Sequence, residues 1–284
     1  MGYFDGRRVF LAGGSEGIGR STAVELARRG ANVVVAARRE GPLEETVEAM
    51  KAVAPNGRYG AVSMDITDRK AVKNAVGDVN GYLGGPADTV IVNVGMAITG
   101  YVDELDDDAF DRMIHVNYLG HVSVLRAFLP SLLESGKADV CFVSSALGFM
   151  SMPGYSAYSA SKYAIAGFAE SLRMELKSKG VRVTVFYPGT TDTPGLEKEN
   201  ATKPKAVWKM EADSSFSKTH KPDDVANSLL KGIERGSFEN YPGIDVSFIR
   251  WMYSRFPGIS RWMADMEWDA ARKKVEAEGG SAPS

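Results

Sequence analysis

Five short apolar runs, each separated from the next by helical sequence, constrain this chain more than any other feature. Arg7–Ala12, Asn32–Ala37 (NVVVAA), Thr89–Val94 (TVIVNV), Ala138–Ser144 (ADVCFVS) and Val181–Tyr187 (VRVTVFY) lack the in–out alternation of a half-exposed strand. Near-continuous apolar runs belong to strands buried on both faces, which means a parallel sheet with helices on either side. Helical periodicity fills the intervals at Ile18–Arg29, Glu44–Val53, Arg69–Leu83, Asp107–Ser135 and Tyr155–Lys179. Strand, helix, strand at this spacing requires right-handed crossovers, so the expected class is α/β, a doubly wound parallel sheet flanked by helices on both faces.

The 284 residues suit one large α/β domain. Residues 1–245 are expected to form it, with 190–221 as a substrate loop, because that stretch is rich in Thr, Lys, Glu and Pro and shows no period. Pro222–Arg235 is helical again. Residues 246–284 are expected to be an aromatic-rich C-terminal extension with a frayed end at Gly279–Ser284. With 34 basic and 36 acidic side chains the net charge is −2, so no bulk attraction to nucleic acid is expected. The single cysteine, Cys141, cannot pair within the chain and suits a reducing compartment. The chain opens without an apolar signal segment, and no apolar stretch approaches the ~18 residues of a spanning helix. A cytoplasmic location is therefore the expectation.

Gly13-Gly-Ser-Glu-Gly17-Ile-Gly19 sits between the first strand and the first helix. Glycines there allow a tight turn and a close backbone approach to a pyrophosphate, which the helix N-terminus favours with its dipole. No Lys-Ser or Lys-Thr follows, so a P-loop is a poor match. Tyr158 and Lys162 stand at i and i+4 of a helical stretch, on one face. An ammonium beside a phenol stabilises its anion and makes the tyrosine useful as an acid or base near neutral pH. The acidic run Asp103–Asp111 reads as a solvated helix start, His115, His121 and His220 lack ligand spacing, and no metal is expected.

These motifs, in order, resemble the short-chain dehydrogenases/reductases from Arg7 to about Gly236. They are the glycine turn, Asp65, Asn93-Val-Gly95, Asn117, Ser145, Tyr158-x-x-x-Lys162 and Pro188-Gly189. Two positions depart from that pattern, Ala12 and Val94, where Thr and Ala are usual, and the first loses a hydroxyl that braces the loop. The resemblance implies a Rossmann-like fold and an NADP-dependent oxidoreductase interconverting ketone and secondary alcohol. It implies a catalytic set of Asn117, Ser145, Tyr158 and Lys162. Ser145 polarises the carbonyl, Tyr158 exchanges the proton, Lys162 also binds the nicotinamide ribose, and Asn117 holds a water that links Lys162 to solvent. The implied coenzyme contacts are Gly13, Ser15, Gly17, Ile18, Gly19, Arg38, Arg39, Asp65, Ile66, Asn93, Gly95, Tyr158, Lys162, Pro188, Gly189, Thr191 and Thr193. An acid at the end of the second strand would select NAD, but Ala37-Arg38-Arg39 stands there, and a guanidinium suits the 2′-phosphate of NADPH. Glu40, and Glu16 inside the glycine turn, place negative charge nearby.

Gly95-Met-Ala, Asn117-Tyr-Leu-Gly120, Tyr158-Ser-Ala-Ser-Lys162 and the stretch 192–204 (DTPGLEKENATKP) give a narrower resemblance, to 3-ketodihydrosphingosine reductases. This implies a long-chain 3-keto amino alcohol as substrate, in sphingolipid synthesis. Eukaryotic members carry an apolar segment ahead of the glycine turn, which does not precede it here. Two other readings stay open: reduction of another carbonyl, such as a steroid, a polyol precursor or an acyl-thioester, and a non-catalytic NADP-binding protein. Relatives form homodimers or homotetramers through two long helices, here 107–135 and 155–179. Between Val246 and Trp268, aromatic residues alternate with Arg250, Arg255 and Arg261, and Pro257-Gly258 should split the stretch into two short helices. Phe248, Ile249, Trp251, Met252 and Phe256 suit either a cover for the sheet or a subunit contact, or a peripheral membrane contact.

Overall fold

The computed structural model describes residues 2–213 and 218–279. Its centre is a sheet of β1 (Arg8–Ala12), β2 (Asn32–Ala37), β3 (Tyr59–Ser63), β4 (Thr89–Val92), β5 (Ala138–Val143), β6 (Val181–Phe186) and β7 (Glu239–Asn240). The strand order is β3-β2-β1-β4-β5-β6-β7, and each neighbouring pair is parallel. This is the doubly wound sheet that the apolar runs demanded. All residues of β4 and β5 are buried, which is why neither run alternates.

The helices are α1 (Gly17–Arg28), α2 (Glu40–Val53), α3 (Arg69–Leu83), α4 (Asp107–Ile114), α5 (Gly120–Glu134), α6 (Ser156–Lys177), α7 (Pro194–Asn200), α8 (Lys205–Asp213), α9 (Pro222–Arg235), α10 (Ile244–Arg255) and α11 (Pro257–Ala277). Side chains of each strand divide between two cores. Val9 and Leu11 pack with Leu26 of α1, Met50 of α2 and Leu229 of α9. Phe10 and Ala12 face the other way, against Val79 of α3, Phe128 of α5 and Leu172 of α6. Phe10 and Phe128 stack with ring centroids 4.2 Å apart.

Local signals explain several boundaries. Asp68 caps α3 by accepting from the N–H groups of Lys70 and Ala71, and Gly84 ends it at φ 71°. Pro222 opens α9 and Gly236 closes it in the left-handed region.

Elsewhere the structure differs from the pattern. The stretch 107–135 is two α-helices joined by a π turn, His115–Leu119. Such a turn fits one extra residue into the helix, and no residue type at 115–119 announces it in the sequence. Residues 190–221 are not irregular: α7 and α8 occupy much of the segment, and residues 214–217 lie outside the described residues. The C-terminal stretch breaks at Phe256–Pro257, but its second helix has 21 residues and is not short. Residues 280–284 of the expected frayed end also lie outside the described residues. Among the described residues no helix is long and apolar enough to cross a membrane.

Candidate active site

Strand order reverses between β1 and β4, so the loops after their carboxyl ends diverge and leave a crevice. A cavity of about 770 Å³ opens there. Gly13, Ser15, Gly17, Ile18, Arg38, Arg39, Asp65, Ile66, Asn93, Gly95, Ser145, Tyr158, Lys162, Pro188, Gly189, Thr191 and Thr193 line it, while Gly19 and Asn117 stand behind its wall.

The glycine turn has little room for side chains. Gly13 has φ 87°, and a Cβ on Gly19 would lie 1.8 Å from the Gly13 carbonyl oxygen. Asn93 Nδ2 donates to that same oxygen at 2.9 Å, and the Gly13 N–H donates to the Ala36 carbonyl at 2.7 Å. The loop is therefore braced from β4 and β2 without a hydroxyl at position 12, where Ala12 is fully buried. Glu16 precedes α1 but its side chain makes no capping bond, and no acid stands in the first turn. The first N–H groups of α1 keep their capacity to donate beside the cavity, a fit for a phosphate.

At the far end, Arg39 pairs with Glu16 at 2.6 Å. The acid inside the glycine turn is thus neutralised by one arginine, and Arg38 remains on the cavity wall beside Asp65. Burial works to raise the Asp65 carboxyl. Hydrogen bonds from the Thr67 hydroxyl and N–H, with the charge of Arg38, outweigh it and hold the group below the usual carboxylate range.

The reacting side chains converge from three elements. Ser145 follows β5, where its hydroxyl accepts from the Leu147 N–H at 3.2 Å, and it lies close enough to the phenol of Tyr158 to lower its pKa. Its neighbour Ser144 is turned away and donates to the Lys162 carbonyl at 3.0 Å, bracketing β5 to α6. Tyr158 and Lys162 share a face of α6, with Nζ 5.7 Å from the phenol ring centroid. Burial raises the Tyr158 phenol, the Ser145 hydroxyl lowers it and the Glu199 charge raises it. Lys162 is buried, donates to the Val143 carbonyl at 3.2 Å, and burial brings its ammonium down to about 7.

Asn117 lies in the π turn, fully buried. Its Oδ1 accepts from the Met96 N–H at 2.8 Å, and its Nδ2 donates to the Met96 carbonyl and the Ser161 hydroxyl, each at 2.9 Å. It therefore clamps the loop after β4 onto α6. That clamp holds Gly95 so close that a Cβ there would be 3.0 Å from Lys162 Nζ. Nearby His121 is buried, donates from Nε2 to the Val94 carbonyl at 2.7 Å, and is pushed down to about 3 by burial and the Lys162 charge, so it stays neutral.

The remaining wall comes from the chain after β6. Leu196 of α7, Met210 of α8, Ile249, Met252 and Tyr253 of α10 and Met263 of α11 supply an apolar surface. The expected apolar face of α10 is thereby divided. Ile249 and Met252 point to the cavity, whereas Trp251 and Phe256 are 53% and 39% exposed. Tyr155, Glu199 and Glu211 stand in the same wall with Lys203 buried behind them, a charged cluster that was not anticipated. Its one local signal is the Glu199–Lys203 spacing of four, and Lys203 already lies past the end of α7, so the pairing rests on how the chain folds back there.

Residues 7–204 match the family model described as short chain dehydrogenase. The chain is 36% identical over 243 residues to the 3-ketodihydrosphingosine reductase of Bos taurus, an alignment covering 84% of this chain and 72% of that one. It is 35% identical over 244 residues to the 3-dehydrosphinganine reductase of Danio rerio, covering 85% and 72%. Among solved structures, the short chain dehydrogenase from Mycobacterium paratuberculosis bound to NAD superposes with a TM-score of 0.71 at 25% identity, covering 81% of this chain and 91% of that one.

Proposed function

The chain belongs to the short-chain dehydrogenase family, and from that premise we propose that it reduces the ketone of 3-ketodihydrosphingosine to a secondary alcohol with NADPH. It is an oxidoreductase of ketone and alcohol groups that uses a nicotinamide coenzyme. The observation that carries the long-chain substrate is the shape of the cavity: the space holding Ser145 and Tyr158 continues along the apolar wall of α7, α8, α10 and α11. Relatives named for this reaction supply the identity of the ketone. The test is NADPH oxidation with 3-ketodihydrosphingosine against a panel of small ketones. Comparable catalytic efficiency across the panel would remove the sphingoid reading and leave a general carbonyl reductase.

When bound, the coenzyme supplies the hydride that the carbonyl carbon accepts. Ser145 donates to the carbonyl oxygen and draws charge onto it. Tyr158 then gives its phenolic proton to the developing alkoxide. The Lys162 ammonium steadies the resulting phenolate and would hold the nicotinamide ribose of a bound coenzyme, and Asn117 keeps the Gly95-Met96 loop pressed against it. The π turn around Asn117 also takes backbone carbonyls out of the ordinary helical ladder, which suits a water carrying protons from solvent to Lys162.

Arg38 selects NADPH. Its guanidinium suits a bidentate grip on the 2′-phosphate, and no acid competes for the ribose hydroxyls at the end of β2. Arg38→Asp is expected to shift the ratio of catalytic efficiencies from NADPH towards NADH by roughly a hundredfold, two steps of about 1.4 kcal/mol. Equal efficiency with the two coenzymes in the wild type would refute the assignment.

The aromatic surface of residues 246–268 contacts a membrane at the cytoplasmic face. Trp251, Ile259, Trp262 and Met266 are exposed on the same two helices whose inner sides wall the cavity, as is Phe256 at their junction, with Arg255 and Arg261 among them. A route from bilayer to Tyr158 follows. Full-length protein is expected to co-sediment with anionic vesicles several-fold more than Trp251→Ser/Trp262→Ser. Equal binding by a folded double variant would end this proposal. Assembly into a homodimer or homotetramer through α4–α5 and α6, where Leu133, Tyr163 and Met174 are exposed, is checked by the mass in solution; a monomer refutes it.

A further inference from the structure

One part of the cavity wall is charged. Glu199 of α7 and Glu211 of α8 line the cavity together with Tyr155, three positions before Tyr158. The Tyr155 hydroxyl donates to Glu199 Oε1 and lies 3.0 Å from Glu211 Oε1. Lys203, its side chain 1% exposed, places Nζ 2.6 Å from Glu211 Oε2 and 3.5 Å from Glu199 Oε1. Two carboxylates therefore share one ammonium, which sits nearer Glu211. A buried ion pair is tolerated when its charges match, and here one negative charge is in excess.

That excess falls where it hinders the chemistry. Burial raises the Glu199 carboxyl, against the Tyr155 and Lys203 hydrogen bonds that favour its anion. The same anion raises the Tyr158 phenol. A tyrosine that becomes a phenolate as it yields its proton is opposed by a carboxylate in range. A cation brought by the substrate would relieve both.

Building on the amino-ketone reading above, we infer that Glu199 is a specificity-determining residue, receiving a primary ammonium carried on the carbon next to the reacting ketone. The completed cluster is two anions and two cations: Glu199 and Glu211 against Lys203 and the substrate. The rings of Tyr155 and Tyr158 are 6.1 Å apart, so the carbonyl served by one and the amine beside the other are near neighbours on the substrate. Rival cavity acids are placed differently. Asp245 is held by His220 Nε2 at 2.8 Å, Glu16 by Arg39, and Glu267 stands on α11.

Four ketones test this: an α-amino ketone and its des-amino analogue, each with a short and a long alkyl chain. Chain length reports on the long-chain reading, whereas the amine reports on Glu199, so either can fail alone. The wild type is expected to prefer the amine-bearing ketone in kcat/KM by about tenfold or more at either length, chiefly through KM, the scale of one charge-assisted hydrogen bond. Glu199→Gln is expected to bring that ratio close to unity, and Glu199→Asp to recover part of it. A merely structural Glu199 lowers both ketones equally and leaves the ratio unchanged, which overturns the inference. So does collapse of the ratio in Glu267→Gln while Glu199→Gln keeps it. A second measurement needs no variant: a long-chain 2-amino-1-alkanol should inhibit the wild type about tenfold more tightly than the 1,2-diol of equal length. Equal inhibition constants overturn the inference.

Discussion

Tyr158→Phe is expected to lower turnover by roughly a hundredfold or more, the scale of a lost proton donor, with little change in NADPH affinity. The substitution removes one atom. The ring, its place on α6 and the Lys162 ammonium 5.7 Å from its centroid all remain, so the coenzyme side of the cavity is undisturbed. Ser145 still polarises the carbonyl but has no proton to give at neutral pH. Nor can a neighbour substitute: Tyr155 is engaged with Glu199 and Glu211, and burial together with the charges of both carboxylates raises its phenol. Steady-state turnover beside a fluorescence titration of coenzyme separates the two quantities. A variant that turns over near the wild-type rate would show that another group supplies the proton.

Lys162→Met should have two opposite effects, a loss of turnover of roughly a hundredfold or more and a gain in stability of the coenzyme-free protein. Lys162 is 3% exposed, and among the described residues its ammonium has one carbonyl partner and no carboxylate, so folding strips its water with little return. Burial lowers its pKa from 10.5 to about 7. Below about pH 7 the lysine is charged in both the folded and unfolded chain, and the full burial penalty applies. Between about 7 and 10.5 the folded protein has released the proton that the unfolded chain still holds, so the penalty shrinks as pH rises. The excess stability of Lys162→Met should therefore be largest in mild acid, a few degrees in thermal midpoint, and fade towards pH 10. A melting curve of both proteins across that range decides it. A variant less stable than wild type at every pH would mean that the bond to Val143 outweighs desolvation.

Much of this architecture is written locally. The central strands are legible because they are buried on both faces, α3 because Asp68 and Gly84 bound it in the sequence, and α9 because Pro222 and Gly236 do. The reacting set is legible for a similar reason: Tyr158 and Lys162 need only one helix to share a face. What escapes is held by distant partners. No residue of α7 is buried, so it has no apolar stripe to betray it; its Glu199 is tied to Tyr155 and Lys203, and Thr99 bonds the Glu199 carbonyl at 3.2 Å. β7 has two residues and depends on β6 for its register. The role of Asn117 is equally hidden. Its residue type suggests a polar contact, but the clamp on Met96 appears only when the loop after β4 is folded against it.

The π turn between α4 and α5 has a geometric consequence of its own. A straight α-helix advances about 100° per residue, so one added residue works as a phase shifter between the two halves. On one side Ala109 and Met113 of α4 pack near Tyr158; on the other Val124 and Phe128 of α5 pack on the sheet. Excising a single residue from His115–Leu119 would heal the hydrogen-bond ladder and rotate one half against the other by that angle. The two apolar stripes and the Asn117 clamp could then no longer all find their partners. The irregular turn thus aims two surfaces of one rod in different directions, and a smoother helix here would be a worse instrument.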